Sequence, residues 1–113
     1  MEKYIKIETK NSDLIIKLKG ELDEYICSII KAQIDYEYKL NLSKDIIFDF
    51  KEVTFIDSST LGMVIGRYKK ALENGGRVYI VGAKNQVEKI FEISNISSII
   101  SRFNNINEIT RCS

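Results

Sequence analysis

The strongest constraint on this chain is how its hydrophobic period changes along its length. "KYIKIET" and "DLIIKLKG" alternate with period two around "KNS", the spacing of a β-hairpin ending at Gly20. Residues 23 to 41 then take helical spacing, with Ile26, Ile29, Ile30, Tyr36 and Leu40 on one side and Lys31, Asp35 and Lys39 away from it. Asp23 stands where an N-cap is needed. "DIIFDF" at 45 to 50 is a short, apolar, β-branched run, as expected of a strand buried on both faces. A helical stripe returns as Leu61, Val64, Ile65, Tyr68, Ala71 and Leu72, and "NGG" at 74 to 76 stops it. "RVYIVG" reads as another buried strand, and "KNQVEKIFEIS" as a helix with Val87, Ile90 and Phe91 inward. The tail predicts a short strand near residues 98 to 103, then a partial helix. The order is β-β-α-β-α-β-α, then β and a short α: an α/β fold with a mixed sheet covered by helices.

With 113 residues the chain is long enough for one compact domain, 1 to 113, and too short for two ordinary ones. Seventeen basic against sixteen acidic side chains give a net charge of +1, so bulk charge draws the chain neither to nucleic acid nor to a membrane surface. There is no histidine, which removes the commonest general base and the usual transition-metal ligand. Cys27 and Cys112 form no CxxC pair, so two reduced thiols are expected and a structural zinc site is not. Cys27 falls in a helix and Cys112 in a frayed tail. "MEKYIKIETK" lacks the apolar run of a secretory leader, and no segment approaches the roughly 18 to 20 apolar residues of a membrane span. The expected location is the cytoplasm.

Motifs for catalysis are missing. No phosphate-cradling GxxxxGK[ST] or GxGxxG occurs, and "GGR" at 75 to 77 is a helix-to-strand turn. "IDSST" does not match a hydrolase elbow and has no histidine to serve it. Asp57 ends a strand segment like a phospho-accepting aspartate, but "MEKYIKIET" offers no acidic pair to hold Mg²⁺. What stands out is "FIDSSTLGM" at 55 to 63. Its plain reading is a helix start capped by Asp57 or Ser58. That does not account for Gly62 and Gly66, since glycine inside a helix costs about 1 kcal/mol against alanine. At about 100° per residue, Gly62, Met63, Gly66 and Lys70 lie opposite the Leu61 and Tyr68 stripe. They predict either an exposed strip that lets another protein's backbone approach or a glycine packed beneath a loop.

"FIDSSTLGMVIGRYK" resembles the signature of the STAS-domain anti-sigma factor antagonists, and "GELD" at 20 to 23 matches a second motif of that family. Length and element order agree along nearly the whole chain, and the run from Phe55 to Lys69 is most similar to the antagonists of the anti-sigma F factor of spore-forming bacteria. The resemblance implies a phosphorylation switch in sporulation transcription. Ser58 would be the phosphoacceptor of an anti-sigma factor that is itself a serine kinase, and a phosphoserine phosphatase would reset it. The unmodified chain would bind the kinase and free the sigma factor; the chain itself would be no enzyme and need no cofactor or metal. Glu21, Asp23, Asp57, Ser59, Thr60, Leu61, Gly62, Met63 and Gly66 would form the partner surface around Ser58, with Glu21 and Asp23 alternatively serving only to start the first helix. A STAS module of another partner-switching pathway, such as general stress signalling, is the alternative. Thr60 departs from the family's usual glycine, which implies a helical position 60, an extra side chain for the partner to accommodate, and Ser59 and Thr60 as minor alternative acceptors.

Overall fold

Residues 3–41 and 45–110 are described by the computed structural model of the chain. Strands β1 (Ile5–Lys10) and β2 (Asp13–Leu22) form the expected hairpin. Asn11 and Ser12 both have positive φ, the two-residue turn whose twist suits paired strands. Next come α1 (Glu24–Asn41), β3 (Asp45–Ile56), α2 (Ser58–Glu73), β4 (Val78–Val81) and α3 (Asn85–Ile93). A 3-10 turn at Asn95–Ser98, strand β5 (Ser101–Phe103) and a second 3-10 turn at Ile106–Glu108 complete the order. Asn74 closes α2, with Gly75 at φ 78° beyond it. Cys112 lies outside the described residues.

The strands lie in the order β1-β2-β3-β4-β5, antiparallel at the first pair and parallel at the other three. The sheet is therefore mixed, as expected. The three parallel crossovers all step the same way across it. Such connections are almost always right-handed, so stepping in one direction puts every helix on the same face. Ile30 of α1, Val64 of α2 and Phe91 of α3 accordingly share one core with Leu14, Ile16, Ile46, Phe48 and Ile80 of the strands. Ile15, Ile47, Tyr79 and Val81 point the other way and pack against Phe103 and Ile109 of the C-terminal segment. With no reversal of strand order, the sheet has no switch-point crevice of the kind that holds nucleotides.

Three expectations need correction. Strand β3 runs to Ile56 and not to Phe50, because the polar "KEVTF" stretch still pairs with the end of β2 across two register shifts. On α1 the buried residues are Ile26, Cys27, Ile30 and Ile34, while Tyr36 (64% exposed) and Leu40 (62%) face out. The outer face of α1 carries apolar residues too, so composition alone did not distinguish its two sides. On α2 the buried set is Thr60, Met63, Val64, Arg67 and Ala71, about a quarter turn from the Leu61 and Tyr68 stripe, and Leu72 is exposed.

Candidate functional site

The site lies where β2 and β3 end side by side. Glu21 pairs with Phe55 and Leu22 with Ile56. The chain then leaves each strand through an aspartate and enters a helix, α1 after Asp23 and α2 after Asp57. Asp23 Oδ1 accepts a hydrogen bond from Ile26 N–H at 2.9 Å, the capping role read from the sequence. Asp57 Oδ1 accepts from Ser59 N–H at 2.9 Å and Thr60 N–H at 3.4 Å. Two helix N-termini, each capped by a carboxylate, thus stand next to each other.

Asp57 takes the capping role, which leaves Ser58 as the first residue of α2. Ser58 is exposed, and its hydroxyl makes no hydrogen bond among the described residues. Ser59 is half-buried and Glu21 exposed.

Thr60 corrects an expectation. It is helical, as its β-branched side chain requires, but it is fully buried and presents nothing for a partner to accommodate. Its Oγ1 donates to the Leu22 carbonyl at 2.9 Å, lies 3.5 Å from Cys27 Sγ, and accepts a long bond from Asp57 N–H at 3.4 Å. The hydroxyl ties the β2–α1 corner to the start of α2, and this burial also excludes it as an alternative phosphoacceptor in the folded chain. Cys27 Sγ reaches the same Leu22 carbonyl at 3.6 Å. Burial pushes the Cys27 thiol above its ordinary range; Thr60's hydroxyl works against that shift, while Asp57 and Asp23 reinforce it.

Beside Ser58 a groove of about 260 Å³ opens between α1 and α2, with Glu24, Ser28 and Lys31 along one wall and Ser59, Gly62 and Gly66 along the other. A Cβ built at Gly62 or Gly66 meets nothing within 4 Å. Neither glycine is packed beneath a loop, so the open-strip reading of the pair stands. Met63 was expected to be exposed; it is 4% exposed, because the rotated helix turns its side chain to the core, although it still lines the groove. Leu61 is half-buried against the core.

Arg67 escaped the sequence reading. It lines the same groove and is 4% exposed, with Asp35 Oδ1 3.2 Å from its Nε and Lys70 Nζ 3.1 Å from Asp35 Oδ2. The signal was available: Arg67 is one helical turn from Val64 and Ala71 and two from Thr60, a charge inside what proves to be the buried stripe.

The family profile of the STAS domain matches residues 4–109. The anti-sigma F factor antagonist of Paenibacillus polymyxa is 29% identical over 111 residues, covering 97% of this chain and 95% of the relative. The anti-sigma-B factor antagonist of Staphylococcus aureus is 27% identical over 98 residues, covering 85% and 90%. Among solved structures, the anti-sigma factor antagonist SpoIIAA in its unphosphorylated form superposes with a TM-score of 0.80 at 27% identity, over 92% of this chain and 90% of that one. The Bacillus cell fate determinant SpoIIAA in the phosphorylated form gives 0.72 at 26% identity, over 92% and 94%.

Proposed function

The chain belongs to the STAS-domain family, and on that premise we propose that it is an anti-sigma factor antagonist switched by phosphorylation of Ser58. In this reading it is one domain, 1 to 113, that works in the cytoplasm without catalysis or cofactor. Its unmodified form binds an anti-sigma factor that is a serine kinase and so releases a sigma factor; a phosphoserine phosphatase restores it. The observation that carries the reading is the exposed, unbonded hydroxyl of Ser58, next in sequence to Ser59 of the groove wall, with the capping duty taken by Asp57.

The local chemistry supports ejection of the partner at the interface, without melting of α2. A phosphoryl group adds about −1.5 to −2 charges, and a helix N-terminus tolerates an anion. Here, however, the Asp57 carboxylate already holds the Ser59 and Thr60 amides, and Leu61 N–H is bonded to the Asp57 carbonyl at 3.3 Å. Little of the first turn is left to neutralise the new charge. It adds to a rim that already contains Glu21, Asp23, Glu24 and Asp57. A partner face matched to that rim must then desolvate a doubly charged group or leave. Glu21, Asp23, Asp57, Ser59, Leu61, Gly62 and Gly66 are the proposed contacts, and Met63 contributes through the groove wall.

The finer assignment is control of sporulation transcription through an anti-sigma F factor, supported by the similarity to the Paenibacillus polymyxa antagonist. A second pathway, with a different sigma factor and the same chemistry, is favoured by the comparable similarity to the anti-sigma-B factor antagonist. Mass spectrometry after incubation with ATP and candidate anti-sigma kinases from the same cell tests both. Phosphate on Ser58, absent in Ser58→Ala and absent with ATP alone, is the expected result. Modification elsewhere, or by no such kinase, rejects the site.

A further inference from the structure

The switch at Ser58 leaves Arg67 without a task, and Arg67 is the least satisfied side chain near the site. Its Nε lies 3.2 Å from Asp35 Oδ1 but is not aligned for a hydrogen bond, and Nε, Nη1 and Asp35 Oδ1 are all buried without hydrogen-bond partners. Asp35 is shared with Lys70, so it cannot satisfy the whole guanidinium fork. Unmade hydrogen bonds of a buried charged group are costly, and a fork-shaped donor is suited to a carboxylate. Burial lowers the Arg67 pKa while Asp35 raises it; an arginine stays charged throughout.

The groove has an electrical direction. Its Ser58 end is acidic, with Glu24 in the lining and the capping carboxylates Asp23 and Asp57 at the two helix starts. Two turns on, it is lined by Lys31 and Arg67. Ser59 to Arg67 spans about 12 Å along α2 at 1.5 Å per residue. Between the two ends, the wall at Gly62 and Gly66 has no Cβ to hold off a visiting backbone.

We propose that this groove receives an acidic side chain of the docking partner, which Arg67 binds at its inner end and exposed Lys31 guides in. The inference rests on the reading of this face as the anti-sigma factor surface and adds the charge and orientation of what enters it. A segment with its basic part near Ser58 and its acid two turns away is attracted at both ends; the reverse orientation is repelled at both. Phosphorylation strengthens only the acidic end, beyond the charge the partner is built to meet.

The test is the dissociation constant for the purified anti-sigma factor kinase of the same cell, measured without ATP so that Ser58 stays unmodified. Lys31→Glu reverses an exposed charge and Arg67→Met removes the donors while keeping an apolar stem. Each is expected to weaken binding about tenfold or more, with the Lys31→Glu effect shrinking at high salt. Reversing one Asp or Glu of the kinase to Lys is expected to restore binding to Lys31→Glu. Ser58→Glu tests the underlying reading separately. If it weakens binding while Lys31→Glu and Arg67→Met stay within about twofold of the unaltered chain, the acid-receiving groove is refuted and the switch survives. If Ser58→Glu binds normally, or the unaltered chain does not bind, both fall. Should Arg67→Met fail to fold, Lys31→Glu and its charge-swap rescue decide.

Discussion

Replacing Gly62 or Gly66 by alanine separates stability from recognition. Both glycines lie within α2 and neither has a positive φ. A Cβ at either position meets no atom within 4 Å, so no steric cost arises. The gain is the helix propensity difference, about 1 kcal/mol for each, partly through a less flexible unfolded chain. For 113 residues the unfolding entropy near the midpoint is about 0.24 kcal/mol/K, so each substitution is expected to raise Tm by about 4 °C. The same methyl group stands in the groove where the partner's backbone would lie, so affinity for the anti-sigma factor should fall about tenfold or more. Thermal unfolding by circular dichroism and calorimetric titration with the kinase measure the two quantities on the same samples. A stabilised variant with unchanged affinity would refute the docking role of the glycines. A destabilised one would show that the groove is not open.

Thr60→Val keeps the shape of a fully buried side chain and removes the hydroxyl's hydrogen bond to the Leu22 carbonyl. A loss of about 1.5 kcal/mol, or about 6 °C in Tm, is expected, with partner affinity within about twofold; a large affinity loss at unchanged stability would put Thr60 back on the interface. Asp57→Ala removes the α2 cap and should lower stability by about 1 kcal/mol in urea titrations, whereas Asp57→Asn retains an acceptor and most of that stability. The raised pKa of Cys27 means that the native state holds its thiol proton more tightly than the unfolded chain does. Its contribution to stability is therefore complete below the unfolded thiol's pKa, about 8.5, and is lost as pH rises from there through the folded value. Urea midpoints between pH 7 and 10 should fall more steeply for the native sequence than for Cys27→Ala; equal slopes would contradict the assignment.

Much of the site was legible one segment at a time. Asp23, and either Asp57 or Ser58, were recognisable as caps because capping depends on a short acceptor side chain and the three residues after it. Ser58 was singled out by the resemblance to the STAS-domain antagonists, and the two glycines by their cost inside a helix. Arg67 and Lys31 were missed because their role depends on which side of α2 faces α1, and the apolar residues of both helices are spread around more than one side. Met63 and Thr60 were misplaced for the same reason. A quarter turn of α2 moves one from partner surface to groove wall and the other into a buried hydrogen-bond junction.

The chain's periodicities, turn residues and caps are local, acting over a few residues, and they determined on their own the order of elements and the neighbourhood where α2 begins, though they ended β3 at Phe50, short of Ile56. Sequence alone placed a helix start at Asp57 or Ser58, and the structure decided between them, with Asp57 as the cap and Ser58 as the first helical residue. Only tertiary structure decided that all three helices share one face, that the ends of β2 and β3 bring the two capped N-termini together, and that a groove with an unsatisfied arginine runs beside Ser58. Those properties come from strand register and helix rotation. Both are set by competition among distant apolar surfaces for one core, and no single segment records the outcome.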